Sequence, residues 1–256
     1  MIGAAIRVAI VTGWVVLIAI HATGGAGSSD AGPAGHAIGA QAGRQARYEA
    51  VWRGATVSVL VQEIDGSDGR IAIRQRMTLT GPLPMLPVDG PLGEVSVVQE
   101  LDHGLRLIGL RLDGTLLGEP VSGTAAIDHR GLRGAGSWAG HRVALADPDL
   151  RPEALAGCGM VAALPPGLVA GQRFGMPILA PRLGPDGLSL ERRTVAIQVD
   201  AIVDGRIHAR AEGDAPSEMT CLTDGTLLLQ RWPQVGLTLH LVRLTADDGT
   251  RIETGP

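Results

Sequence analysis

Residues 56–64 read TVSVLVQEI, residues 65–69 read DGSDG, and residues 70–79 read RIAIRQRMTL. The first run is rich in β-branched residues, and the last run alternates apolar and polar side chains. Four apolar side chains fall on one face of that last run: Ile71, Ile73, Met77 and Leu79. Asp-Gly pairs favour tight turns because glycine adopts positive φ at low cost. The stretch therefore predicts an antiparallel hairpin with one buried face.

The Asp-Gly signal recurs along the chain and extends this prediction to a whole sheet. Eight such dipeptides are present, with Asp at positions 65, 68, 89, 113, 186, 204, 224 and 248. Further hairpins are predicted around Asp102-His103-Gly104, Asp204-Gly205 and Asp224-Gly225. Pro152–Leu164 is the best helix candidate. We therefore expect an all-β or β-rich α+β fold, an antiparallel meander curling into a half-barrel or two packed sheets, with one short helix.

The N-terminus predicts export. Arg7 precedes 13 uncharged, mostly apolar residues, Val8–Ile20, and small residues follow, as in a signal peptide. Residues 1–22 are either a cleaved signal or a hydrophobic helix that anchors the chain in the inner membrane. The short apolar run favours cleavage, because the hydrocarbon core is about 30 Å thick. Ile20 at the −3 position of a cut after Ala22 favours the anchor.

The remaining chain divides by composition. Residues 23–46 are rich in Gly and Ala and predict a flexible linker. Residues 47–256 predict a β-rich domain outside the cytoplasm, either single or built of two similar halves, about 47–150 and 151–256.

Composition and motifs exclude several functions. The net charge is −4 and the sequence contains neither Lys nor Asn, so we expect no nucleic-acid partner, P-loop or lysine Schiff base. Ser137 lies in AGSWA, which does not fit the G-x-S-x-G motif of hydrolases. H-E-x-x-H and C-x-x-C motifs are absent from the sequence. These features predict a protein that is not an enzyme and has no cofactor or metal.

The two cysteines, Cys158 and Cys221, form an even pair in a chain predicted to be exported. An oxidising compartment would allow a disulfide between them. Two buried free thiols are the alternative, because spacing alone gives no geometry.

Three arginines, Arg70, Arg74 and Arg76, fall on the polar face of the strand at 70–79. Such a stripe is typical of a solvated face. It also suits an anionic partner such as lipid headgroups.

Two segments resemble known proteins. The opening YEAVWRG of residues 48–54 with the following hairpin, and LPPGLVAGQRF of residues 164–174, resemble uncharacterised periplasmic β-rich proteins near the lipoprotein-carrier (Lol-like) half-barrels. The resemblance implies a curved antiparallel sheet with a concave apolar face and short helices over it.

Together these features predict an exported, non-enzymatic protein of the cell envelope, located in the periplasm or held at the inner membrane. Its curved sheet would bind an apolar ligand or a partner protein. The alternative is a membrane-anchored accessory subunit of a membrane protein complex, docked through residues 1–22. A hydrolase with a site dispersed over strand ends is the third possibility.

Overall fold

The structure is a computed structural model, and it describes ten parts of the chain. These are residues 41–67, 70–81, 92–103, 106–138, 140–147, 164, 167–184, 187–212, 216–246 and 249–253. The predicted signal or anchor and residues 23–40 of the predicted linker lie outside the described residues. So does the helix predicted at Pro152–Leu164, apart from its last residue.

Fifteen strands make up the described fold. In chain order they are β1 (Arg44–Trp52), β2 (Ala55–Ser67), β3 (Arg70–Leu79), β4 (Gly93–Leu101), β5 (Leu107–Leu116), β6 (Glu119–Asp128), β7 (Gly131–Trp138), β8 (His141–Asp147), β9 (Arg173–Gly184), β10 (Gly187–Val203), β11 (Arg206–Glu212), β12 (Ser217–Leu222), β13 (Leu227–Trp232), β14 (Leu237–Ala246) and β15 (Arg251–Glu253). No helix occurs in the described parts of the chain. The first strand begins ahead of residue 47, where the folded domain was predicted to start.

All strands belong to one antiparallel sheet in the order β8-β7-β6-β5-β4-β3-β2-β1-β14-β13-β12-β11-β10-β9. Consecutive strands are neighbours in this order, except that β8 and β9 lie at its two ends. The first strand, β1, pairs with β14 at a seam between strands that are distant in the chain. We call β1–β8 the N-wing and β9–β14 the C-wing. The short β15 pairs with β14. The sheet is not closed into a barrel, and the prediction of an all-β antiparallel meander is confirmed.

The hairpin predicted at residues 56–79 is present as β2 and β3. Ile64 pairs with Ile73 and Leu60 with Met77 across the two strands. Burial alternates along β3 as the sequence predicts, with the apolar side chains buried and the arginines exposed. Alternation of this kind defines an inner, buried face of the sheet and an outer, solvated face.

Two-residue turns of type I′ connect three of the hairpins. Both central residues have positive φ at Arg53-Gly54, Leu117-Gly118 and Asp204-Gly205. The prediction of a turn was therefore right at Asp204-Gly205. It was wrong at Asp65-Gly66 and Asp113-Gly114, which lie inside β2 and β5 as paired strand residues.

The inner faces of the two wings pack against each other. One apolar cluster joins Leu79, Val95 and Leu116 of the N-wing to Ile197 and Val199 of the C-wing. At the far end of the roll, β8 approaches β10. Burial of these side chains, at roughly 25 cal/mol per Å² of apolar surface, stabilises the curled sheet.

Candidate functional site

The predicted arginine face lies on the outer side of β3, and carboxylates of neighbouring strands neutralise part of it. The Arg74 guanidinium donates to Asp65 at 3.0 Å, from β2. Arg76 lies 3.5 Å from Glu94 of β4. Arg70 is exposed at the start of the strand. Exposed ion pairs such as these two contribute little to the stability of the fold. The binding of an anionic partner to this face stays a prediction.

Of the two predicted disulfide partners, Cys158 lies outside the described residues. Cys221 is a fully buried thiol on the inner side of β12. Burial, together with the nearby Asp224 carboxylate, raises the pKa of Cys221 above its ordinary value. Since the thiolate is the reactive form, the raised pKa keeps Cys221 protonated and unreactive at neutral pH. The pairing of the two cysteines stays a prediction.

A polar staple connects the first strand to the β12–β13 turn. The Arg44 guanidinium donates to the Asp224 carboxylate at 2.6 Å, and the Thr226 backbone N–H donates to the same carboxylate at 2.9 Å. Burial alone would raise the pKa of Asp224, but the hydrogen bonds from Arg44 and Thr226 outweigh it and lower this pKa. Burial, more than the nearby Cys221 and Asp224, raises the pKa of the Tyr48 phenol. These contacts hold the β12–β13 turn against β1, which is a structural role.

The inner face of the N-wing carries a ladder of buried glutamines on three adjacent strands. Gln75 donates to Gln62 at 2.6 Å, and Gln99 donates to Gln75 at 3.2 Å. Apolar side chains lie on both sides of this ladder: Leu60, Met77 and Val95 on one side, and Ile64, Ile73 and Leu101 on the other. The ladder therefore satisfies polar groups within an otherwise apolar face.

In the C-wing, Gln230 of β13 is buried on the inner face and donates to the Ser217 hydroxyl at 3.0 Å. Its Oε1 atom has no hydrogen-bond partner in the described structure. An unsatisfied buried acceptor costs about 1–3 kcal/mol. A hydroxyl or N–H group of a ligand, or an ordered water, would satisfy it.

These buried glutamines were not predicted from the sequence. The signal was present, since Gln62, Gln75 and Gln99 occupy inward positions of strands whose other inward residues are apolar. A polar residue at such a position marks a paired network or a ligand contact.

The outer face of β10–β13 forms a polar groove of about 470 Å³. Positive and negative side chains alternate across its strands. The Arg210 guanidinium donates to both carboxylate oxygens of Asp200, at 2.7 to 3.1 Å. Glu218 of β12 lies opposite Arg210 on one neighbouring strand and Arg231 on the other. His208 lies 3.3 Å from the Thr220 hydroxyl. The compensated charges are typical of a solvated surface.

Within the described residues no group of three or more His, Cys, Asp or Glu side chains is placed to hold a metal ion. The same residues include no helix with the length and hydropathy needed to span a bilayer.

Comparisons with known proteins give one distant structural neighbour. No family model matches the sequence, and no curated protein matches it. A crystal structure of a DUF1089 family protein from Pseudomonas aeruginosa superposes with a TM-score of 0.37 at 12% identity. The match covers 72% of this chain and 94% of that chain. The resemblance to lipoprotein-carrier half-barrels stays a prediction.

Proposed function

We propose that this chain is an exported, non-enzymatic binding protein of the cell envelope that holds an apolar ligand, of the acyl-chain type, against the inner face of its curved sheet. The observation that supports the proposal is an apolar inner face in an open roll. The end strands of the sheet, β8 and β9, do not pair with each other in the described structure.

An open roll admits a ligand more readily than a closed barrel. The wings join through backbone hydrogen bonds at the β1–β14 seam, whereas their inner faces meet through apolar side chains. Parting the wings away from the seam breaks side-chain packing and leaves the strand ladders intact. An acyl chain would replace the contacts that are lost, because its CH₂ groups gain about 0.8 kcal/mol each on burial.

The proposal is tested with the full chain purified from cell envelopes in a mild detergent. A fluorescent fatty acid is titrated into the protein, and extracted lipids are identified by mass spectrometry. Met77→Gln keeps the side-chain length but places an amide on the inner face. Thr78→Gln, on the next residue, places the same group on the outer face and is the matched control.

We expect copurifying acyl lipids and saturable binding, weakened about tenfold in Met77→Gln and unchanged in Thr78→Gln. Thermal unfolding of both variants checks that they are folded. Equal affinity of the two variants, or no saturable binding by the wild type, would overturn the proposal. Sequencing the mature N-terminus tests export separately: a start near Thr23 identifies a cleaved signal, and an intact residue 1 identifies the anchored form.

A further inference from the structure

A second groove lies on the outer face of the N-wing, over β5–β8, and has a volume of about 360 Å³. Gly123, Ala135 and Gly136 form its floor. Ala135 places a methyl group on the outer face, and the two glycines contribute backbone, because alternation along the strands directs their Cβ positions to the inner face. Five polar residues line its sides: Arg111, Ser122, Thr124, Ser137 and Arg142, with Asp113 beside them. A backbone floor beneath several hydroxyl and guanidinium groups is a shape that admits a small polar ligand.

Paired hydroxyls lie at the centre of this groove. Ser122 and Ser137 are directly opposite each other on β6 and β7, and their Oγ atoms are 3.0 Å apart. Each hydroxyl has one hydrogen to donate. Because only one of the two hydrogens is used between them, the other is available to a ligand oxygen.

Two arginines and one carboxylate surround the hydroxyl pair. Arg142 lies directly opposite Ser137, Asp113 lies directly opposite Ser122, and Arg111 lies two residues before Asp113 on the same face of β5. Arg111 lies on β5 and Arg142 on β8, so about 14 Å of sheet separates their backbones, and both residues line the groove. Both side chains are exposed, and neither forms an ion pair with any residue that the structure describes. Arg74 and Arg76 on β3 differ, since each faces a carboxylate.

The charge of the lining favours an anion. Two guanidinium groups against the one carboxylate of Asp113 leave a net charge of +1 on the lining. Guanidinium forks match the oxygens of a phosphate group, and hydroxyl donors add neutral hydrogen bonds to the same oxygens. The residues present therefore suit a tetrahedral oxyanion better than a cation or an apolar group.

We propose that the groove over β5–β8 binds a phosphate group between Arg111 and Arg142, above the Ser122–Ser137 pair. The phosphate is carried either by a lipid headgroup or by a small soluble phosphate. This site is separate from the inner face and does not depend on acyl-chain binding.

The test is a calorimetric titration of the full chain in a non-ionic detergent, at constant ionic strength. Two probes are used: inorganic phosphate, and a short-chain phosphatidylglycerol below its micelle concentration. The variants are Arg111→Gln, Arg142→Gln and Ser122→Ala with Ser137→Ala. Arg206→Gln is the matched control, because Arg206 is an exposed arginine of the C-wing that the groove does not include.

We expect saturable binding of at least one probe, weakened about tenfold by each arginine substitution and unchanged in Arg206→Gln. Tighter binding of the phospholipid supports a headgroup as the source, and tighter binding of inorganic phosphate supports a soluble ligand. The proposal fails if neither probe saturates, or if Arg206→Gln lowers affinity as much as the groove variants do. Thermal unfolding of every variant shows that a loss of binding is not a loss of fold.

Discussion

Asp224 connects the last hairpins of the chain to its first strand. Its side chain is about one-third exposed, at 31%, and that of Arg44 is 28% exposed, so water screens their attraction in part. The carboxylate also accepts a hydrogen bond from the Thr226 backbone, which fixes the turn after β12. One side chain thus orders a turn and attaches it to a strand about 180 residues earlier.

Replacing Asp224 by Asn should destabilise the fold in a pH-dependent way. The pKa of Asp224 is lowered in the folded state, so the charged form contributes stability above the unfolded pKa of about 3.9 and loses it as pH falls through the folded value. We expect Asp224→Asn to cost about 1 kcal/mol at pH 7 and close to nothing near pH 2. Urea unfolding at a series of pH values measures this.

Asp204→Asn is the control for that experiment. Asp204 lies at a type I′ turn position where asparagine is equally suitable, and we expect a change near zero at every pH. A difference for Asp224→Asn that grows as pH falls would contradict the assignment.

At the scale of elements, turn chemistry explains both the successes and the errors of prediction. Asp-Gly indicates a hairpin because its residues tolerate positive φ, and Asp204-Gly205 behaves in this way. Arg53-Gly54 and Leu117-Gly118 form the same turn without an Asp, so only their glycines could have indicated it. Asp113-Gly114 lies within β5, where a Cβ on Gly114 would be 2.1 Å from the Glu94 carbonyl oxygen. Glycine is needed there because β4 and β5 approach each other closely. The local sequence does not distinguish this role of an Asp-Gly pair from a turn.

Gly134 makes a close approach of β7 to β6. A Cβ at this position would lie 2.3 Å from the Thr124 carbonyl oxygen and 2.7 Å from the Ala125 Cα, so backbone would have to move. We expect Gly134→Ala to lower the free energy of unfolding by about 2–3 kcal/mol, measured by urea denaturation.

The matched control is Gly109→Ala, also in a strand interior. The nearest atom to its new Cβ is Oε2 of the Glu100 side chain, at 3.2 Å, which can move aside. We expect a change within about 0.5 kcal/mol. Equal changes in the free energy of unfolding for the two substitutions would show that β6 and β7 are not closely spaced at Gly134.

Sequence patterns predicted which residues face inward and outward, but not which side chains of different strands meet on each face. Period-2 alternation placed the buried and exposed residues of β3 correctly. It did not indicate that Arg74 and Arg76 face carboxylates, because Asp65 and Glu94 come from other strands. Nor did it bring together Arg111 and Arg142, which only the order of strands β5–β8 makes neighbours across one groove. The fold class follows from the apolar–polar alternation within each strand, which the sequence shows directly. The set of residues that forms a site follows from the register between strands, which the sequence does not show.

At the scale of the whole molecule, the β1–β14 seam determines the architecture. Arg44 pairs with Ala246 and Trp52 with Leu237, so the first strand closes against a strand at the other end of the chain. No local pattern predicts such a pairing, because it joins residues separated by nearly the full domain. The seam also places both wings on one continuous sheet, with their free edges at β8 and β9. Stability should therefore fall from the seam toward the edges.

Hydrogen exchange of the full chain tests this gradient. Strands β1 and β14 are hydrogen-bonded on both sides and buried on their inner face, whereas β8 and β9 each have one paired neighbour in the described sheet. Local opening begins where the fewest hydrogen bonds and apolar contacts must break. We expect the slowest amide exchange in β1, β2 and β14 and the fastest in β8 and β9, measured by mass spectrometry of peptic peptides. Fast exchange at the seam would mean that the wings hinge apart there, and an apolar ligand would then enter through the seam rather than through the edges.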